Sequence, residues 1–192
     1  MFLFLALFAA MLQTPTTPRP AVAKMLHLFQ SLTDAQHRKD SGQAPPHVAF
    51  EMTESEVNDY LIYMQSATPR PGLDSITVKL FPANYYSTYT IIDFEAVEKW
   101  KAGTIPTLLK PILAGKKAIW IDFRVNIKDA AMTFAIEKAY FGQIWLPAFF
   151  VQKLIQIVAA RQAEHWDTTK PVPLPFGLRN ITTAEHVVSG EN

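Results

Sequence analysis

The densest hydrophobic pattern in the chain is Pro147–Trp166, PAFFVQKLIQIVAARQAEHW. Pro147 suits a first helical position, where its missing N–H costs nothing. Behind it, Phe149, Phe150, Val151, Leu154, Ile155, Ile157 and Val158 are interrupted only by Gln152, Lys153 and Gln156. Wound as a helix, these residues cover most of three turns rather than a single stripe. A helix apolar nearly all round has to be buried, and about 12 apolar-rich residues fall short of the ~20 that span a bilayer. The pattern predicts a long helix wrapped by other elements.

Elsewhere the periods are cleaner. Val22, Met25, Leu26, Phe29 and Leu32 recur at helical spacing, which predicts a helix over Pro20–His37. In FEMTESEVNDYLIYM (50–64), Thr53 and Glu56 stand at capping-box spacing, Met52 and Val57 at hydrophobic-staple spacing. Val57, Tyr60, Leu61 and Met64 then share one helix face, and Glu54, Glu56 and Asp59 read as capping and solvating carboxylates. Alternation predicts strands at Leu73–Phe81, Tyr85–Phe94, Ala118–Lys128 and Ala131–Tyr140, with a tight hairpin at Asp129-Ala130. Glu95–Lys101 and Ile105–Ala114 read as short helical turns, since Pro106 and Pro111 forbid one long helix. Phe141–Leu146 reads as a further strand or an extension, 167–175 as an extended crossing, and the tail as one or two strands around Ile181 and Val187–Val188. Strands adjacent in sequence favour antiparallel pairing, so the expected class is α+β: a curved antiparallel sheet around the long helix, plus an N-terminal helix.

Composition changes this picture only slightly. At 192 residues the chain suits one domain, 49% of it is apolar, and charged residues reach only 18%, below the usual ~25%. Net charge is +1, so no basic field calls for nucleic acid. With no cysteine, disulfides, thiolate metal sites and cysteine nucleophiles are excluded together. Residues 2–12, FLFLALFAAML, have the length of a signal-peptide core, and Ala21-Val22-Ala23 offers one small-x-small cleavage site, with an earlier cut near Leu12 or Gln13 as the alternative. The expected layout is 1–23 as signal peptide and proline-rich spacer, then 24–192 as one exported domain, periplasmic or secreted.

The search for chemistry is negative. The chain has no phosphate loop, no Gly-x-Ser-x-Gly elbow and no His-x-x-x-His pair; its five histidines are scattered. Asp93 reads as the cap of the turn that follows it. No enzyme activity, cofactor or metal is expected. What remains is apolar excess, and a sheet curled around a helix can leave a tunnel for apolar ligands.

The run MTESEVNDYL, the PGLDSITVKL strand and the IIDFEAV segment resemble the opening of bacterial TULIP (tubular lipid-binding) domains. They are most similar to small periplasmic proteins of a family of undefined function and of the LmeA-like lipid-binding kind. A strand pair, the Leu146-Pro147 step into a helix, and a tail with Leu174, Pro175 and Gly177 extend the resemblance to about residues 50–190, beyond the helix over Pro20–His37. The resemblance implies binding or carriage of a lipid by shape and apolar lining, without catalytic residues. The expected lining is Ile91, Phe123, Phe134 and Ile136 from the strands, with Phe149, Phe150, Leu154 and Val158 from the helix. Expected partners are a lipid or other apolar small molecule and, transiently, a membrane. The rival reading is a cystatin-like interaction module with a filled core.

Overall fold

The structure is a computed structural model and describes residues 19–100, 102–103, 105, 113–149, 151–152 and 170–192. The helix expected over Pro147–Trp166 and the turns expected over Ile105–Ala114 lie largely outside these residues.

The class is α+β, with an N-terminal helix and a large antiparallel sheet that is curved but not closed. Helix α1 (Pro20–Asp40) begins with proline in its first turn and ends on His37, Arg38 and Lys39, cations that suit the negative end of the helix dipole. Its buried face is Val22, Met25, Leu28, Leu32 and Ala35. Strand β1 (Ala49–Thr53) leads into helix α2 (Glu54–Ala67). Both halves of the expected capping box form: the Glu56 N–H donates to Thr53 Oγ1 at 3.2 Å, and the Thr53 N–H donates to the Glu56 carboxylate at 2.8 Å. Lys24 on α1 bonds the same carboxylate at 2.7 Å, tying the two helices together.

The main sheet orders β2 (Leu73–Phe81), β3 (Tyr85–Asp93), β4 (Lys116–Lys128), β5 (Ala131–Phe141) and β6 (Ile144–Trp145), and β7 (Val172–Pro173) also pairs with β5. Short helix α3 (Phe94–Trp100) follows β3, and Asp93 Oδ1 accepts the N–H groups of Glu95 and Ala96, each at 3.0 Å. The β4–β5 hairpin turns on Asp129 and Ala130, both at positive φ (54° and 55°), the combination a type I′ turn needs. A second, three-stranded sheet orders β1, β9 (Val187–Glu191) and β8 (Asn180–Ala184). Gly190 of β9 is required there: a Cβ would come 2.7 Å from the Phe50 ring and 2.8 Å from the Asn180 carbonyl oxygen.

β1 is an element that sequence patterning does not predict. Its partner β9 lies at the far end of the chain, so its five residues gain strand character only through a distant pairing.

Candidate functional site

β2 is an edge strand, and its open backbone groups are covered by side chains of α2. Asn58 accepts the Val78 N–H and donates to the Val78 carbonyl, each at 2.8 Å. Glu54 accepts the Leu80 N–H at 2.8 Å, and Gln65 donates to the Leu73 and Asp74 carbonyls. Positions 54, 58 and 65 share one helix face, so a polar stripe on α2 works as a substitute strand and closes an edge otherwise open to foreign chains. Glu54 thus does more than the capping and solvation expected of it. It also meets His186 Nδ1 at 3.0 Å. Burial acts to raise the Glu54 carboxyl, but the Leu80 N–H, the His186 hydrogen bond and nearby positive charge outweigh it and hold the group below the usual carboxylate range. His186 is raised by the same hydrogen bond and charge.

His186 also joins the two sheets: its N–H donates to the Leu80 carbonyl at 3.1 Å and its own carbonyl accepts the Glu54 N–H at 2.8 Å. Asn84 Nδ2 bonds the Ile181 carbonyl at 3.0 Å, and Thr183 bonds the Phe81 carbonyl. These bonds hold the small sheet across one end of the main sheet, with α1 and α2 over the same face.

Between them lies a pocket of about 240 Å³. α1 supplies Met25, Leu28, Phe29 and Leu32; α2 supplies Val57, Tyr60 and Leu61. The main sheet supplies Val78, Leu80, Tyr86, Phe123, Val125, Ile127, Met132 and Phe134. Phe50, Met52, Ile181 and Val188 of the small sheet, and Pro175, Phe176 and Leu178 of the tail, also line it. The main-sheet residues share a face because β4 alternates without interruption. Where β5 pairs with it, a bulge at Glu137 moves the register so that Ala139 and Phe141 stay on the inner face after Met132, Phe134 and Ile136. Rings tile that face: Tyr86 stacks on Phe123 with centroids 5.3 Å apart, and Phe123 meets Phe134 at 6.5 Å.

Among the described residues, the wall's only side-chain polar groups are tyrosine hydroxyls. Burial pushes that of Tyr86 up to about 12, and burial with Tyr63 nearby pushes that of Tyr60 up to about 12, so both stay neutral hydrogen-bonding groups at physiological pH. Tyr60 Oη is buried with no hydrogen-bond partner among the described residues.

Of the lining expected from sequence, the structure brings Phe123 and Phe134 to this pocket. Ile136 is on the same sheet face, paired with Phe123, but outside the wall. Ile91 is on the opposite face, because the β3–β4 register is unbroken and odd-numbered β3 residues point away from Tyr86. Phe149 is 72% exposed. Phe150, Leu154 and Val158 lie outside the described residues. Alternation could have found Val78, Leu80 and Val125; the contribution of α1 had no sequence signal beyond an apolar helix face. Among the described residues, no cluster of three or more His, Asp or Glu could hold a metal ion, and no helix is long and apolar enough to cross a membrane.

The chain matches no family model, no curated protein and no solved structure.

Proposed function

We propose that this chain is an exported binding protein that holds a lipid or other apolar small molecule in the pocket between α1, α2 and the two sheets. The observation that carries the reading is the pocket itself, about 240 Å³ with a wall of aliphatic and aromatic side chains. An apolar cavity of about 150 Å³ already takes up benzene, and water is a poor occupant where it lacks two to four polar partners. The pocket is partly open, so without a ligand its apolar wall stays in contact with water. An apolar ligand would remove that surface from water, worth about 25 cal/mol per Å². The unpartnered Tyr60 Oη gives such a ligand one place for a polar atom.

The test is ligand uptake with and without free space. Native mass spectrometry of protein purified without detergent should show co-purifying lipid, and a fluorescent fatty acid should bind saturably. Val125→Trp directs a larger ring into the pocket. Its melting temperature should hold within about 2 °C while uptake falls at least tenfold, whereas overpacking a filled core costs about 1–3 kcal/mol, or some 2–12 °C in a chain of this size. A wild type that binds no fatty acid, with a Val125→Trp variant that melts several degrees lower, would sink the carrier reading in favour of a filled-core interaction module.

A further inference from the structure

The opposite face of the main sheet carries a row that neither the pocket nor the core uses. Tyr89 on β3 is the cross-strand partner of Trp120 on β4, Trp120 of Tyr140 on β5, and Tyr140 of Trp145 on β6. Directly paired residues project side by side from one face, so four consecutive strands each place one tyrosine or tryptophan in a line. Three interstrand steps of about 4.8 Å make the row about 14 Å long. Tyr89, Trp120 and Trp145 are 44%, 48% and 58% exposed, and Tyr140 is half-buried. Contiguous exposed rings of this kind mark an interaction site.

Trp120 is the anchored member. Its Nε1–H donates to Ser87 Oγ and to Asp122 Oδ1, each at 2.7 Å. Ser87 and Asp122 are buried and form the neighbouring cross-strand pair on the same face. To reach them the indole leans along the strand, with its polar edge satisfied inward and ring surface left to solvent. A ring held in this way has little rotamer freedom left to lose when something stacks on it.

The charges around the row are mixed: Lys79 and Lys138 stand beside it, and the other charges are paired or engaged. Lys116 pairs with Asp74 at 2.5 Å and Arg124 with Glu137 at 3.0 Å, while Asp122 is engaged by Trp120. Among the described residues, these scattered charges of both signs form no dense cationic field of the kind that draws an anionic bilayer or a nucleic acid. What the face complements is an uncharged, straight ligand with flat apolar surfaces and polar edges. Sugar rings have this form: their axial C–H groups meet the negative face of an aromatic ring, and their hydroxyls point sideways. Side-chain hydrogen-bonding groups stand along the sides of the row. Thr77 continues the row as the partner of Tyr89, while Lys79 and Lys138 flank it as the partners of Ser87 and Asp122.

We propose that the row Tyr89–Trp120–Tyr140–Trp145 binds an uncharged β-1,4-linked glycan strand laid across the main sheet, with Trp120 and Trp145 as the principal stacking rings. This site is separate from the apolar pocket and does not depend on it.

The test is titration of the full chain with cellohexaose and with the hexasaccharide of N-acetylglucosamine, followed by tryptophan fluorescence and calorimetry. At least one should bind saturably. Trp120→Ala and Trp145→Ala should each weaken it about tenfold or more, Ser87→Ala should weaken it less by releasing the indole N–H, and Val125→Trp should leave it unchanged. Trp145→Ala, at an exposed edge, keeps the test open if Trp120→Ala fails to fold. Binding of neither hexasaccharide overturns the proposal, as does binding indifferent to both tryptophan variants. Sedimentation with phosphatidylcholine–phosphatidylglycerol vesicles that is lost in the same variants, without sugar binding, reassigns the row to a membrane surface and equally overturns it.

Discussion

The two faces of the main sheet are built from the same strands, and both carry aromatic rings. On the inner face Tyr86, Phe123 and Phe134 pack against one another and wall an apolar pocket. On the outer face Tyr89, Trp120, Tyr140 and Trp145 lie in line beside polar partners. Phenylalanine, without a polar atom, belongs where no hydrogen bond is on offer. Tyrosine and tryptophan suit a surface that is apolar on one side and wet on the other. One alternation thus separates two environments about a side-chain length apart, and the two faces should answer differently to the same perturbation.

The largest expected difference comes from charge. Leu80 is buried where β2, α2 and the small sheet meet. Leu80→Asp would place an unpaired carboxylate there and should abolish cooperative folding. Thr77→Asp, on the outer face of the same strand, should cost less than about 1 kcal/mol. Circular dichroism with urea unfolding reads both; a cooperative Leu80→Asp variant would show that the inner face is not sealed at this end.

A smaller effect tests the covered edge. Asn58→Ala removes both bonds to the Val78 backbone and leaves a buried N–H unpaired, which should cost about 2–3 kcal/mol. Asn126→Ala, exposed on the outer face of β4, should stay within about 0.5 kcal/mol. Equal midpoints for the two variants would mean that water or another side chain replaces Asn58.

The smallest effect is in pH. The lowered Glu54 contributes stability above its unfolded pKa, and this is lost as pH falls through its folded value. The raised His186 contributes below its unfolded pKa of about 6.5, and this is lost as pH rises through its higher folded value. The junction should therefore be firmest in mildly acidic solution, above the unfolded Glu54 value and below about pH 6.5. In His186→Ala the alkaline fall of the melting temperature should flatten slightly; an unchanged slope above pH 6.5 would remove this pair from the account.

Local rules made much of this legible. Thr53 and Glu56 at capping-box spacing, five alternations in β4, and a two-residue turn at Asp129-Ala130 each depend on neighbours a few positions away. Phe123 and Phe134 were likewise within reach, because alternation alone assigns them to the apolar face. Ile91 shows where this stops: an isoleucine pair at 91–92 does not say which member faces inward, and the register with β4 assigns Ile91 to the outer face.

The sequence by itself determined the α+β class, the helix start at Thr53, the strand periods and an apolar surplus too large for the surface, because propensity, capping and alternation act over a few residues. Tertiary structure alone decided that β1 pairs with β9, that Glu54, Asn58 and Gln65 cover the edge of β2, and that α1 and α2 close the pocket. The Glu137 bulge and the aromatic row also belong to it, since both arise from the register between strands. Register and sheet order depend on contacts between positions tens to more than a hundred residues apart, and no local pattern encodes which of several apolar faces will meet.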